Sequence, residues 1–244
     1  MTDLAASGMS RLARVIDQVA DALIISTVVT AVVLVVTSVV GDGAPKAWRE
    51  TQTQGLIALA WALLAVALAG ASLVFGLASR LHNVSRLLLA TAATLMVLVT
   101  VAIVGLRYGA GIGTINLQEG VIYLHGGMFL LGIAYALRHD AHVRVDLIYA
   151  RLNQKQKAFI NLLGHYFLLI PVALEIIELS GGYVQSSWRV VEGSAEVGGV
   201  PAVFVLKTLI PAAALVLLVQ GVAESARCVS TLLSSGSTPL SEDR

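Results

Sequence analysis

The stretch QEGVIYLHGGMFLLGIAYALRHDAHVRVDLIYARL, residues 118–152, decides how this chain is read. Glu119 opens it, and an apolar run over 120–137 follows, interrupted only by His125. As a helix those 18 residues rise about 27 Å, nearly the thickness of a hydrocarbon core. The run then breaks into Arg138-His139-Asp140-Ala141-His142-Val143-Arg144-Val145-Asp146. An acid at one end and a cluster of charge and histidine at the other mark two water boundaries. The segment reads as a membrane span with a polar foot.

The foot has a helical pattern of its own. Arg144 and Arg151 form one polar stripe, and His142, Asp146 and Asn153 form another. Val143 with Leu147, and Val145 with Ile148 and Leu152, fill the two sides between them. A helix lying on lipid has one apolar face, whereas this pattern has two. It is read as a short interfacial helix wedged between other segments, with Asp140 and Arg144 as an i,i+4 pair. The competing reading is a solvated loop whose basic residues only enforce topology.

Composition agrees with a membrane class. The chain is 57% hydrophobic and only 13% charged, where soluble domains run near a quarter charged. A net charge of +1 offers no handle for nucleic acid. Cys228 is the single cysteine, which excludes an internal disulfide and any cysteine-based metal site. Arg11 and Arg14 precede an apolar stretch that is too long for a signal peptide and has no small-x-small cleavage site. It is expected to be retained as a span.

Outward from the organising stretch, the hydropathy predicts an all-α integral membrane protein with six transmembrane helices. They are expected over 22–40, 55–78, 87–106, 120–137, 158–178 and 200–223. Residues 1–16 read as a frayed or interfacial helix, and 79–86 as a turn carrying Arg80, His82 and Arg86. A Ser/Thr/Pro-rich tail follows the last span. Six spans put both termini on one side. On that side fall Arg11, Arg14, Arg80, Arg86, Arg138, Arg144, Arg151, Lys155, Lys157, Arg227 and Arg244. Only Lys46, Arg49, Arg107 and Arg189 fall on the other, so the positive-inside rule places both termini in the cytoplasm.

Candidate chemistry is sparse. His125 and His165 lie inside spans, but their depths differ by around 11 Å by rise, too much for the axial ligands of one haem. Glu175 and Glu178 share a face of the fifth span. Counted from Ala158 they sit about 25 to 30 Å along it, at the outer boundary, as headgroup-reaching carboxylates or partners of Lys207. Pro171 removes a backbone hydrogen bond and is expected to bend the helix. No phosphate loop, metal-spaced cluster or nucleophile motif occurs, so no cofactor is expected.

Two runs carry a resemblance. One is Glu119 … Gly132-Ile133-Ala134-Tyr135-Ala136-Leu137-Arg138 … His142-Val143-Arg144-Val145-Asp146, preceded by Arg107. The other is Ser187-Trp188 … Glu192-Gly193-Ser194 … Gly198-Gly199-Val200-Pro201 … Lys207 … Ile210-Pro211 … Gln220-Gly221. Together they resemble the small permease subunit of tripartite ATP-independent periplasmic (TRAP) transporters. The family's Trp-x-x-Glu opening reads Asn116-Leu117-Gln118-Glu119 here, so the aromatic anchor is missing. Two extra N-terminal spans make the chain similar to the larger branch, assigned to mannitol, chloroaromatic or 2-oxo acid compounds.

The resemblance implies three regions: 1–86 with two additional helices, 87–226 as the four-helix small permease, and 227–244 as a cytoplasmic tail. It implies a multi-pass protein of the bacterial inner membrane, surrounded by lipid and bound to a large permease subunit. A periplasmic substrate-binding protein completes the system. The function implied is scaffolding of a sodium-coupled importer of an organic acid, without catalysis or substrate binding by this chain. Arg107, Glu119, Arg138, His142, Arg144, Asp146, Glu175, Glu178 and Lys207 are the candidates for structural or partner-facing roles. The alternatives are a stand-alone channel or secondary carrier, and a haem-bearing anchor of a respiratory enzyme.

Overall fold

The computed structural model describes residues 2–40, 51–142 and 149–234. The expected foot helix, with Arg144 and Asp146, lies largely outside the described residues, as does the connection carrying Lys46 and Arg49. Regular structure among the described residues is entirely helical, and six segments are long and apolar enough to cross a membrane. They are α1 (Thr2–Val40), α2 (Thr51–Phe75), α3 (Ala78–Gly109), α4 (Ile115–Arg138), α5 (Gln154–Gly164) running through a π-helical turn (His165–Leu169) into α6 (Ile170–Val190), and α7 (Val203–Ser234).

Valine-rich segments are helical here because lipid offers the backbone no other hydrogen-bond partners. At the start of α5, the Asn153 side chain accepts the Gln156 N–H at 2.9 Å and Gln156 accepts the Asn153 N–H at 3.0 Å, closing a capping box. Pro171 does bear on the helix geometry, through the π turn just before it. The Ile170 N–H reaches back to His165 O, a wider ring that makes room for the proline and its missing donor.

Two expectations are corrected. Residues 79–86 are not a turn: Gly76, at φ 63°, takes the left-handed step of the reversal, and α3 is helical from Ala78. Nor is the N-terminal segment a separate frayed piece. α1 runs unbroken for 39 residues, with Ala6 and Ala13 already buried. Polar residues at the rim of a span stay helical when a neighbouring helix gives them partners.

α1 and α7 form the centre, antiparallel and packed along their length, with α4 and α6 against α7 and with α2 and α3 against α1. Ala20, Leu23 and Ile24 of α1 meet Leu131 and Ala134 of α4 and Val216 of α7. Nearer the other end, Leu34 packs with Trp188, Val200, Phe204 and Val205. Lipid removes most of the hydrophobic drive for helix association, so close packing through small residues does the holding. Gly126 illustrates this: a Cβ there would meet Leu206 Cδ1 at 2.9 Å.

Candidate functional site

Charge is concentrated in two layers, one at each end of the bundle. The first is built on Asp17 and Asp21, one turn apart on α1 and only 5% and 4% exposed. Arg227 of α7 grips Asp17 through both guanidinium nitrogens, at 2.8 and 3.0 Å, and also bonds Glu224 at 2.6 Å. Arg138, the last residue of α4, donates to Asp21 at 2.8 Å and lies 3.8 Å from Asp17. Ser85 of α3 donates to the other Asp21 oxygen at 2.7 Å, and His82 stands 3.6 Å away. Gln220 closes the cluster by donating to Asp17 at 3.1 Å. α1, α3, α4 and α7 are thus tied at one point, with the forked geometry that makes arginine–carboxylate pairs strong.

Of this cluster only Arg138 was among the sequence candidates. Asp17, Asp21, Glu224 and Arg227 were missed. The available signal was Asp17 and Asp21 at i,i+4 on a stripe of buried alanines that includes Ala6, Ala13 and Ala20.

The second layer gathers around the 191–202 connection. Glu119, at the start of α4, accepts from the Ser194 hydroxyl and from the Val200 N–H, which pins the connection onto the helix. Val191 adopts a left-handed conformation, φ 48°, that folds Glu192 back over α7. There Glu192 pairs with Lys207 at 2.5 Å and accepts from Ser187 at 2.6 Å. The Lys207 hydrogen bond, then that of Ser187, holds the Glu192 carboxyl below its ordinary range. Lys207 also stands 4.3 Å above the Tyr183 ring, and Trp188 donates to Thr208 at 2.8 Å.

Lys207 therefore belongs to Glu192; pairing with Glu175 or Glu178 is not what the geometry gives. Those two glutamates are exposed on α6. Leu169 lies against Gly221, and Trp188 bonds Thr208, so Glu175 and Glu178 fall between those two levels, alongside the middle of α7. Arg107 sits exposed in the last turn of α3, and His142 is exposed beyond α4.

The two intramembrane histidines lie at opposite ends. His125 stacks on Phe129 beside Gly126, at the level of Leu206, whereas His165 opens the π turn that reaches Gly221. Between α1, α2, α6 and α7 lies a cavity of about 470 Å³ whose wall includes Trp61, Gly181, Trp188 and Pro211. Among the described residues, no charged side chain lines it.

Six helices long and apolar enough to cross a membrane, tied together by buried ion pairs, define a multi-pass membrane protein. A family model described as "Tripartite ATP-independent periplasmic transporters, DctQ component" matches residues 96–231, more than half of the chain. The chain belongs to this family, the small permease component of TRAP transporters, which is a family of transporter subunits and not of enzymes. No curated protein and no solved structure matches it.

Proposed function

We propose that this chain is the scaffold subunit of a sodium-coupled, binding-protein-dependent TRAP importer of an organic acid, and that it does not itself bind the substrate. The observation that carries this is where the charge lies. Arg138, Arg227 and Lys207 are committed to Asp21, Asp17 and Glu192, and among the described residues the cavity wall offers no cation to an anionic substrate. An organic anion in a low-dielectric site needs such a partner.

The chain sits in the bacterial inner membrane with both termini in the cytoplasm, as the distribution of its basic residues supports. Its partners are the large permease subunit, which would hold the substrate and sodium sites, and a periplasmic binding protein. The two N-terminal helices suit the larger branch of the family, associated with mannitol, chloroaromatic or 2-oxo acid compounds. From the sequence pattern of the foot with His142, Arg144 and Asp146, Arg144→Ala or Asp146→Ala is expected to lower the yield of assembled complex.

Reconstitution tests the reading. Sodium-driven uptake should need this chain, the large permease and the binding protein together. Uptake by liposomes holding this chain alone would overturn it.

A further inference from the structure

We propose that the outward face of α6 is the seat of a transmembrane helix of the large permease subunit, one that presents a basic side chain to Glu175 and Glu178 near mid-membrane. This rests on the reading above and names the surface it uses.

The first observation is orientation. α6 turns Ala173, Ser180 and Ser187 into the bundle, all of them buried. At 100° per residue, Pro171, Glu175, Glu178, Gly182 and Ser186 then fall on the opposite side, and each is exposed. A span that faces lipid carries its apolar residues outward and its polar ones inward. On this helix the outward side sets two carboxylates, Glu175 and Glu178, among exposed apolar residues such as Leu174 and Leu179.

The second is depth. The charged layers of Lys207 and Arg227 are separated on α7 by about 30 Å of helix, one hydrocarbon thickness. Leu169 against Gly221 and Trp188 on Thr208 bracket α6 between those layers, with both glutamates near the middle. Neither has a hydrogen bond or ion pair with another described residue, and Lys207 is occupied by Glu192. Ionised carboxylates at that depth are costly unless something covers and pairs them.

The third is shape. A Cβ added at Gly182 would find nothing within 4 Å, so the glycine leaves an open notch one turn from Glu178. Small residues at such positions let a second backbone approach closely.

These features select the occupant. Lipid tails offer no partner to the carboxylates. A second copy of this chain, related by a two-fold axis along the membrane normal, would set Glu175 and Glu178 against their own equivalents at equal depth, a like-charge contact. A permease helix with a lysine or arginine at that level satisfies charge, depth and shape together.

The test uses the full chain, tagged and expressed with its own large permease and binding protein. Glu175→Leu combined with Glu178→Leu, and separately Gly182→Leu, are compared with Leu98→Ala on the exposed face of α3. The α6 variants should cut co-purified permease at least about tenfold, since the permease cation loses its buried partner. The melting temperature of this chain purified alone should hold or rise, because leucine suits a lipid-facing position. A photo-cross-linking residue at Leu179, 70% exposed beside the stripe, should join this chain to the permease. Full recovery of permease with both α6 variants, or cross-links only to lipid or to a second copy, would overturn the assignment. Should the unaltered chain bring down no permease, the scaffold reading itself fails; undiminished recovery by the variants fails the α6 face alone.

Discussion

Asp17 and Arg227 stand 210 positions apart and meet in a two-pronged ion pair, with nitrogen–oxygen distances of 2.8 and 3.0 Å. Asp17 lies outside the segment that matches the family, and Arg227 lies inside it. The N-terminal helix is therefore keyed into the family core by charge as well as by packing. Arg138 makes the same connection one turn further along α1, through Asp21.

Breaking one side of this lock should be far worse than losing a surface pair. Removing one partner of a buried pair costs about 3–5 kcal/mol, because the other charge is left uncompensated. Arg227→Ala is expected to lower thermal stability in detergent markedly, and Asp17→Ala likewise. The double variant should lose less than the two single losses added together. Additive losses would show that the two residues do not interact.

A chain shortened to begin at Ala78 should fail to accumulate in membranes. Without α1, Arg138 and Arg227 lose Asp21 and Asp17, and Leu131, Ala134 and Val216 lose the surface they pack on. Changing both arginines to glutamine in the shortened chain should recover part of the loss, read as monodisperse protein by size exclusion. Normal accumulation of the shortened chain would mean that α1 is an accessory.

What was legible in the sequence was whatever hydropathy alone controls. Six spans could be located because about 30 Å of hydrocarbon demands a long apolar helix whatever its partners are. Depth and pairing were not legible, since both depend on how helices register against each other. Lys207 reaches Glu192 only because Val191 turns left-handed, and no local pattern announces that in a β-branched residue. Glu175 and Glu178 were expected as partners of Lys207, which the structure gives to Glu192. Asp17 and Asp21 lay between the N-terminal segment read over 1–16 and the first span expected from Ala22, where carboxylates ordinarily meet water.

Glu119 holds two donors from the 191–202 connection, the Ser194 hydroxyl and the Val200 amide. Glu119→Ala leaves both without an acceptor and should loosen the connection while the helices stay folded. Hydrogen exchange at the Val200 amide should then accelerate by about tenfold or more, as for a segment that opens locally. Amides in the middle of α7 should keep their protection. Equal acceleration in both places would indicate global destabilisation.

Acid should undo the other half of that layer. The Glu192 carboxyl is held below its usual value of 4.5, first by the Lys207 hydrogen bond and then by that of Ser187. A carboxylate whose pKa is depressed on folding contributes stability that is fully present above its unfolded value. That contribution is lost as pH falls through the lower folded value. The pair is partly exposed, at 36% for the glutamate and 18% for the lysine, so solvent screens it and the effect is modest. Glu192→Gln should therefore melt slightly below the unaltered chain at neutral pH, and the gap should close as the buffer is taken down through the acidic carboxylate range. Lys207→Met should show the same closing gap, since it removes the first cause of the shift. A gap that stays constant from neutral pH into acid would show that the carboxylate's ionisation plays no part in holding the connection to α7.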